Sequence, residues 1–139
     1  MFENPPKSAI DALLRRARTI AVLGLSEHAD RPSYHVAENL QKFGYRIVPV
    51  NPVAKEILGE KSWPSLDAAL AGAGPVDVVD VFRRPEHVSA IVDEAIRLKV
   101  PALWLQEGVI DEAAAARARD AGIFTVMNRC MFRDRSALR

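Results

Sequence analysis

Residues suited to anion binding gather in residues 24–33, GLSEHADRPS, which directly follow an apolar run. Gly24 allows a tight turn and close approach of the backbone to a ligand, and Ser26 adds a hydroxyl group. Pro32 suits the first turn of a helix, where free N–H groups favour a negative charge. Arg31 stands beside that turn and can add charge-assisted hydrogen bonds. The segment predicts a phosphate-binding loop; the alternative is an ordinary strand-to-helix turn with Arg31 in solvent.

The same loop departs from the glycine fingerprint of dinucleotide-binding proteins. Counted from Gly24, the pattern G-x-G-x-x-G has Ser26 and Ala29 where the second and third glycines belong. The next apolar run ends in Asn51 and Pro52, without the Asp or Glu that holds the ribose hydroxyls of NAD. An ordinary NAD site is therefore disfavoured.

Further candidates follow the later apolar runs. Lys55 comes soon after the second run, where a cation suits a phosphorylated ribose; the alternative is a solvated surface lysine. Phe82 and Arg83 leave the third run together, and an aromatic ring with a guanidinium plane can stack on adenine, while Arg84 can meet a phosphate. The alternative is a core phenylalanine with two exposed arginines. Gln106 follows the fourth run and offers polar contacts.

Residue patterns for catalysis or metal binding are not apparent in the sequence. The three histidines show no Cys/His pairing of the kind that binds zinc, so no metal site is predicted. Ser26 has no evident base, so nucleophilic catalysis lacks its partner. Asp77 and Asp80 are three residues apart in a strand, which puts them on opposite faces. We interpret them as polar groups at a sheet edge or against a helix, and predict no catalytic residues.

Length and composition limit the classes of function. The chain has 139 residues, enough for one domain over residues 1–139, and 49% of them are hydrophobic. Its net charge of +1 argues against a broad basic face for nucleic acid. No apolar run approaches the roughly 20 residues needed to span a membrane, and the N-terminal residues lack the apolar block of a signal peptide. With one cysteine, the chain suits a reducing compartment, and we expect it in the cytoplasm.

Five short apolar runs must position these loops, and segments with helical periodicity separate them. The runs cover residues 19–24, 45–50, 76–82, 102–106 and 124–128. This alternation predicts an α/β fold, a Rossmann-like doubly wound sheet of five parallel strands in the order 3-2-1-4-5, with helices on both faces in three layers. Ligands of such sheets bind at the carboxyl ends of the strands. The candidate loops are therefore expected to converge there.

Four segments together resemble the small stand-alone CoA-binding domain proteins, which are related to the N-terminal domain of the succinyl-CoA synthetase alpha subunit. The segments are VLGLSEHADRPSYHVAENLQKFGYRIVPVNP (22–52), VDVVDVFRRPEHV (76–88), LWLQEGV (103–109) and NRCM (128–131). The combination of GLS-x4-RPS with a second run that ends in VNP is the specific part. After NRCM, Phe132, Arg133 and Asp134 depart from the family pattern and leave the role of this tail open.

The resemblance implies a binding site for coenzyme A and assigns residues to parts of the cofactor. Residues implied to contact the diphosphate are Gly24, Leu25, Ser26, Arg31, Pro32 and Ser33. Residues implied to face the adenosine and its ribose phosphate are Asn51, Pro52 and Lys55, with Phe82 and Arg83 nearby. Gln106 is implied to face the pantetheine arm.

The function expected from this resemblance is binding of coenzyme A or an acyl derivative by a non-catalytic or accessory module. The chain is too short to hold the nucleotide-activating domain and phospho-carrier residue of an acyl-CoA ligase, so that reaction does not follow from the fold. The main alternative is a small NADP-dependent oxidoreductase. A homo-oligomer or a partner enzyme that this chain completes is also consistent with the sequence. Cys130 follows the fifth run and has two interpretations, an inert buried thiol or a partner for the thiol of coenzyme A.

Overall fold

Five parallel strands form the central sheet of the protein. The structure is a computed structural model and describes residues 2–138. The strands of the sheet are β1 (Thr19–Leu23), β2 (Arg46–Val50), β5 (Val78–Val81), β6 (Ala102–Leu105) and β7 (Phe124–Met127). A separate antiparallel hairpin consists of β3 (Glu56–Ile57) and β4 (Glu60–Lys61).

Helices cover both faces of this sheet. They are α1 (Lys7–Arg16), α2 (Pro32–Lys42), α3 (Leu66–Ala73), α4 (Val88–Leu98), α5 (Glu112–Asp120) and α6 (Met131–Ser136). Buried side chains of α1, α2 and α6 belong to one apolar cluster, and those of α3, α4 and α5 belong to another. Alternate strand residues enter one cluster or the other, as period-two side chains require. The predicted α/β class, parallel sheet and three layers are thus confirmed.

The position of the third sheet strand differs from the predicted order. The sheet runs β2-β1-β5-β6-β7, so β5 pairs with β1, whereas the order 3-2-1-4-5 placed it beside β2. All residues of β5 are buried, as an interior strand requires. Pro49 in β2 has no N–H to donate and therefore favours an edge strand. This proline was the signal for the observed order.

Both edges of the sheet are covered by other parts of the chain. At β7, the Asn4 side chain donates to the carbonyl of Met127 at 2.9 Å and accepts from its N–H at 2.7 Å. At β2, the N–H of Trp63 donates to the carbonyl of Pro49 at 3.0 Å. These bonds satisfy backbone groups that an open edge would leave for another chain. Within residues 2–138, no helix is both long and apolar enough to cross a membrane.

The succession of strands reverses direction between β1 and β5. After β1 the chain crosses to β2 on one side, and it later returns to β5 on the other side of β1. The loops that follow β1 and β5 therefore leave the sheet on opposite sides, which opens a crevice at the carboxyl ends of these strands. The predicted binding loops begin at this edge.

Candidate functional site

A cavity of about 1140 Å³ lies at the carboxyl ends of the sheet strands. Its volume exceeds the roughly 300–1,000 Å³ of ordinary small-molecule sites, so an extended ligand fits it. Most of the residues singled out from the sequence line this cavity: Gly24, Ser26, Arg31, Pro32, Ser33, Phe82, Arg83 and Gln106. The structure therefore brings the loops after β1, β5 and β6 together, as expected from the doubly wound topology.

Gly24 is the point at which the loops after β1 and β5 touch. Its φ is +80°, a backbone conformation that other residues rarely adopt. A Cβ at this position would lie 2.2 Å from the carbonyl oxygen of Phe82 and 2.9 Å from Cδ of Arg83. The close approach predicted for the Gly24 backbone is thus, within the protein, an approach to the loop after β5. This contact sets the distance between the loops after β1 and β5 at the cavity.

The two serines of the first loop hold its backbone. Ser33, 6% exposed, accepts a hydrogen bond from the N–H of Ser26 at 3.0 Å through its Oγ. The Oγ of Ser26 accepts from the N–H of His28, also at 3.0 Å. A hydroxyl that accepts a bond keeps its own hydrogen, and neither serine donates it to another of residues 2–138. Both hydroxyls can therefore donate to a ligand while they shape the loop.

Besides Arg133 of the C-terminal segment, three arginines, Arg31, Arg83 and Arg84, bring positive charge to the cavity. None of them forms an ion pair with a carboxylate of residues 2–138. Arg31 immediately precedes α2, whose N-terminus receives no hydrogen bond from a side-chain cap. Free N–H groups at a helix start carry partial positive charge. The arginines and the start of α2 together make this side of the cavity suited to an anion.

The other residues assigned to the cofactor do not line the cavity. Leu25 is fully buried in the core, and Asn51 donates through Nδ2 to its carbonyl at 2.9 Å. The Oδ1 of Asn51 accepts from two N–H groups of the turn that follows, so this side chain ties the second loop to the first. Pro52 and Lys55 are exposed beside that turn. Their contact with an adenosine remains a prediction.

One wall of the cavity is formed by the C-terminal segment, whose role the sequence left open. Cys130, Phe132, Arg133 and Ser136 line it. Arg133 pairs with Glu107 across the cavity rim at 2.5 Å. The hydrogen bond with Glu107 is the main cause that raises the pKa of Arg133, and the charges of Glu107 and Cys130 add to it. The basic composition of this tail was visible in the sequence, but a helix as short as α6 leaves little periodicity to detect.

Buried hydrogen bonds join this wall to β6. Gln106 is 4% exposed, and its Oε1 accepts from the N–H of Met131 at 3.1 Å. The indole N–H of Trp104 donates to the carbonyl of Arg129 at 2.8 Å. Arg129 also pairs with the buried Asp134 at 2.6 Å, and this hydrogen bond is the main cause that raises the pKa of Arg129. The wall is therefore fixed relative to the sheet.

Asp80 is a buried carboxyl group in an interior strand of the sheet, which corrects its interpretation as an edge-strand group. It is fully buried in β5, in register with Val22 and Trp104. Neither of its carboxyl oxygens has a hydrogen-bond partner among residues 2–138. Desolvation by burial raises the pKa of Asp80 well above its ordinary value, and the nearby N–H of Val81 lowers it only in part. The apolar surroundings therefore favour the protonated, neutral form.

The groups that line the cavity are suited to binding an anionic ligand. Guanidinium groups, hydroxyl groups and a helix start can hold phosphate oxygens, and the half-buried ring of Phe82 offers a surface for stacking. In the described part of the chain, no group of three or more His, Cys, Asp or Glu side chains is placed to hold a metal ion. The arrangement suits an extended polyanion with an aromatic end.

Comparison with known proteins agrees with this geometry. Residues 18–135 match the family described as CoA binding domain. The protein YneT of Bacillus subtilis is 38% identical over 130 residues, which are 94% of each chain. A structure from Thermus thermophilus is 34% identical with a TM-score of 0.87 and covers 95% of this chain and 98% of its own. A hypothetical protein from Pyrococcus horikoshii is 33% identical with a TM-score of 0.87 and covers 99% of both chains. The chain thus belongs to the CoA-binding domain family.

Proposed function

We propose that this protein binds coenzyme A or an acyl-CoA thioester in the cavity at the carboxyl ends of the strands. In this proposal it is a non-catalytic or accessory module of the cytoplasm, a single domain that carries the cofactor. The observation that supports it most is that Arg31, Arg83 and Arg84 line the cavity beside the start of α2 and pair with no carboxylate of residues 2–138. Family membership supports coenzyme A as the cofactor.

The diphosphate of the cofactor is assigned to the first loop. Arg31 lies beside the start of α2, and the hydroxyl groups of Ser26 and Ser33 are free to donate. A diphosphate carries negative charge on several oxygens, so it gains from a guanidinium, a helix N-terminus and hydroxyl donors at once. Gly24 contributes the close contact with Phe82 that holds this loop against the next one.

We assign the adenine and the pantetheine arm to residues that line the cavity, and the ribose phosphate to Lys55 beside the second loop. Phe82 and Arg83 offer an aromatic ring and a guanidinium plane to the adenine. The pantetheine arm follows the opposite wall, where Gln106, Val109 and Phe132 combine one amide with apolar surface. Lys55, exposed near the second loop, is assigned to the ribose phosphate. Coenzyme A and NADP carry that phosphate at different ribose positions, so this contact bears on the choice between them.

Calorimetric titration of the protein with coenzyme A, dephospho-coenzyme A, NADP and NAD tests the proposal. We expect coenzyme A to bind most tightly, dephospho-coenzyme A more weakly because Lys55 loses its phosphate, and NAD least. Tighter binding of NADP would favour the oxidoreductase. Absence of coenzyme A binding would refute the proposed function.

Arg31→Ala tests the phosphate assignment, with Arg15→Ala as its control. Both arginines are exposed, but Arg15 lies on α1 and does not line the cavity. Loss of a charge-assisted contact should weaken coenzyme A binding about tenfold, which corresponds to about 1.4 kcal/mol. The control should stay within about twofold of the unaltered protein, since the same charge is lost far from the ligand. Equal effects of the two substitutions would show only a general influence of net charge.

A further inference from the structure

Cys130 is the single cysteine of the chain, and it faces the crevice assigned to the cofactor. Its thiol is free and half-buried, so it is reachable from the cavity. Gln106 and Phe132 line the same wall. The proposed ligand carries a thiol at the end of its pantetheine arm. The orientation of the bound ligand therefore decides whether its thiol approaches Cys130.

A second side chain, that of Gln106, indicates this orientation independently of the cysteine. Its side chain is buried, lines the cavity and is oriented by the bond from the N–H of Met131 to Oε1. The Nε2 donates to no acceptor among residues 2–138, so it is available to an acceptor in the cavity. A carbonyl oxygen of a ligand would satisfy it. The pantetheine arm is the part of coenzyme A with amide carbonyls, and it ends in the thiol.

The backbone connection brings the two groups together. Cys130 is the residue before Met131, whose N–H is bound by Gln106. A pantetheine arm that accepts a hydrogen bond from Gln106 therefore lies along the wall that contains Cys130. Arg133 lines the same cavity, and its guanidinium is paired with Glu107. The thiolate form of a cysteine is the nucleophile in disulfide exchange.

We propose that Cys130 forms a mixed disulfide with the thiol of coenzyme A bound in the crevice; this inference rests on the proposed function. The co-reactant is the disulfide of coenzyme A. The Cys130 thiolate attacks one sulfur of that disulfide, a bond forms between Cys130 and the bound coenzyme A, and the second coenzyme A leaves as a thiolate. The proton lost by Cys130 is taken up by the leaving thiolate. The number of disulfide bonds is unchanged, and excess thiol reverses the step.

Intact-protein mass spectrometry after incubation of the reduced protein with coenzyme A disulfide tests the inference. We expect one coenzyme A adduct per chain, removed by a dithiol reductant and absent from C130S. Binding raises the local concentration of the disulfide, so the adduct should form at least about tenfold faster than with bis(2-hydroxyethyl) disulfide at equal concentration. Arg31→Ala should slow the reaction with coenzyme A disulfide, whereas Arg15→Ala, which lies outside the cavity, should leave it unchanged.

Two different failures can be told apart by calorimetry on the unaltered protein. If reduced coenzyme A binds but its disulfide gives no adduct, or reacts no faster than the hydroxyethyl compound, the inference about Cys130 is wrong and the proposed function stands. If reduced coenzyme A does not bind at all, the proposed function fails and the inference falls with it.

Discussion

Gly24→Ala should be among the most damaging small substitutions in this protein, for two separable reasons. The φ of +80° at this position disfavours any residue with a Cβ, at a cost of about 1–2 kcal/mol. The added Cβ would also lie 2.2 Å from the carbonyl oxygen of Phe82, so backbone must move. Overpacking of this kind costs about 1–3 kcal/mol. Together the two effects should reduce the free energy of unfolding by roughly 2–5 kcal/mol.

Gly122→Ala is the matched control, because it places a Cβ at a positive φ without a close contact to a neighbouring loop. Gly122 has a φ of +92°, and, apart from its own atoms and its two chain neighbours, no heavy atom of residues 2–138 lies within 4 Å of its added Cβ. Urea denaturation of both variants should show a loss of about 1–2 kcal/mol for Gly122→Ala and a loss greater by about 1–3 kcal/mol for Gly24→Ala. Equal losses would refute the contact between the two loops. Gly24→Ala should also weaken coenzyme A binding, whereas Gly122→Ala should not, since Gly122 does not line the cavity.

Two further substitutions test the buried carboxyl groups. Because burial raises the pKa of Asp80, the unfolded chain releases the Asp80 proton at lower pH than the folded protein does. The free energy of unfolding of the unaltered protein should therefore fall as the pH rises from the ordinary range of a free carboxyl group toward neutrality. Urea denaturation across that range should show a smaller fall for D80N, and parallel curves would contradict the assignment. Asp134→Asn removes the charge that Arg129 bonds at 2.6 and 2.9 Å, and thermal unfolding should reveal a loss of about 1–3 kcal/mol; an unchanged midpoint would show that the pair does not fix the C-terminal wall.

Much of the fold was predictable because each element carries a strong local signal. The near-continuous apolar runs define buried parallel strands, and Pro32 and Asp111 mark the starts of helices. The strand order was the part that failed. It depends on which strand tolerates an edge, and the relevant signal was a single residue, Pro49, that cannot donate a backbone hydrogen bond.

The candidate site was predictable where its residues follow strand ends. Gly24, Phe82 and Gln106 converge because parallel strands present all their carboxyl ends at one edge. The C-terminal wall could not be found in this way, because Phe132 and Arg133 reach the cavity through a short helix held by long-range bonds such as that from Trp104 to Arg129. Such contacts have no sequence period.

The burial of Asp80 was also beyond the reach of the sequence pattern. Alternation placed Asp77 and Asp80 on opposite faces, but it did not show that one of those faces is sealed. Asp77 accepts hydrogen bonds from the backbone N–H groups of Arg18 and Thr19, whereas Asp80 has no such partner among residues 2–138. The difference arises from the helices that cover the second face. It becomes visible only when the strand order is known.

A crystal structure of the protein grown with coenzyme A is the most direct test of the account. We predict that the diphosphate lies against residues 24–33, within hydrogen-bond distance of Ser26, Ser33 or Arg31, with the pantetheine arm directed toward Gln106 and Cys130. Coenzyme A bound elsewhere on the protein, or a crevice that stays empty at saturating concentration, would contradict it.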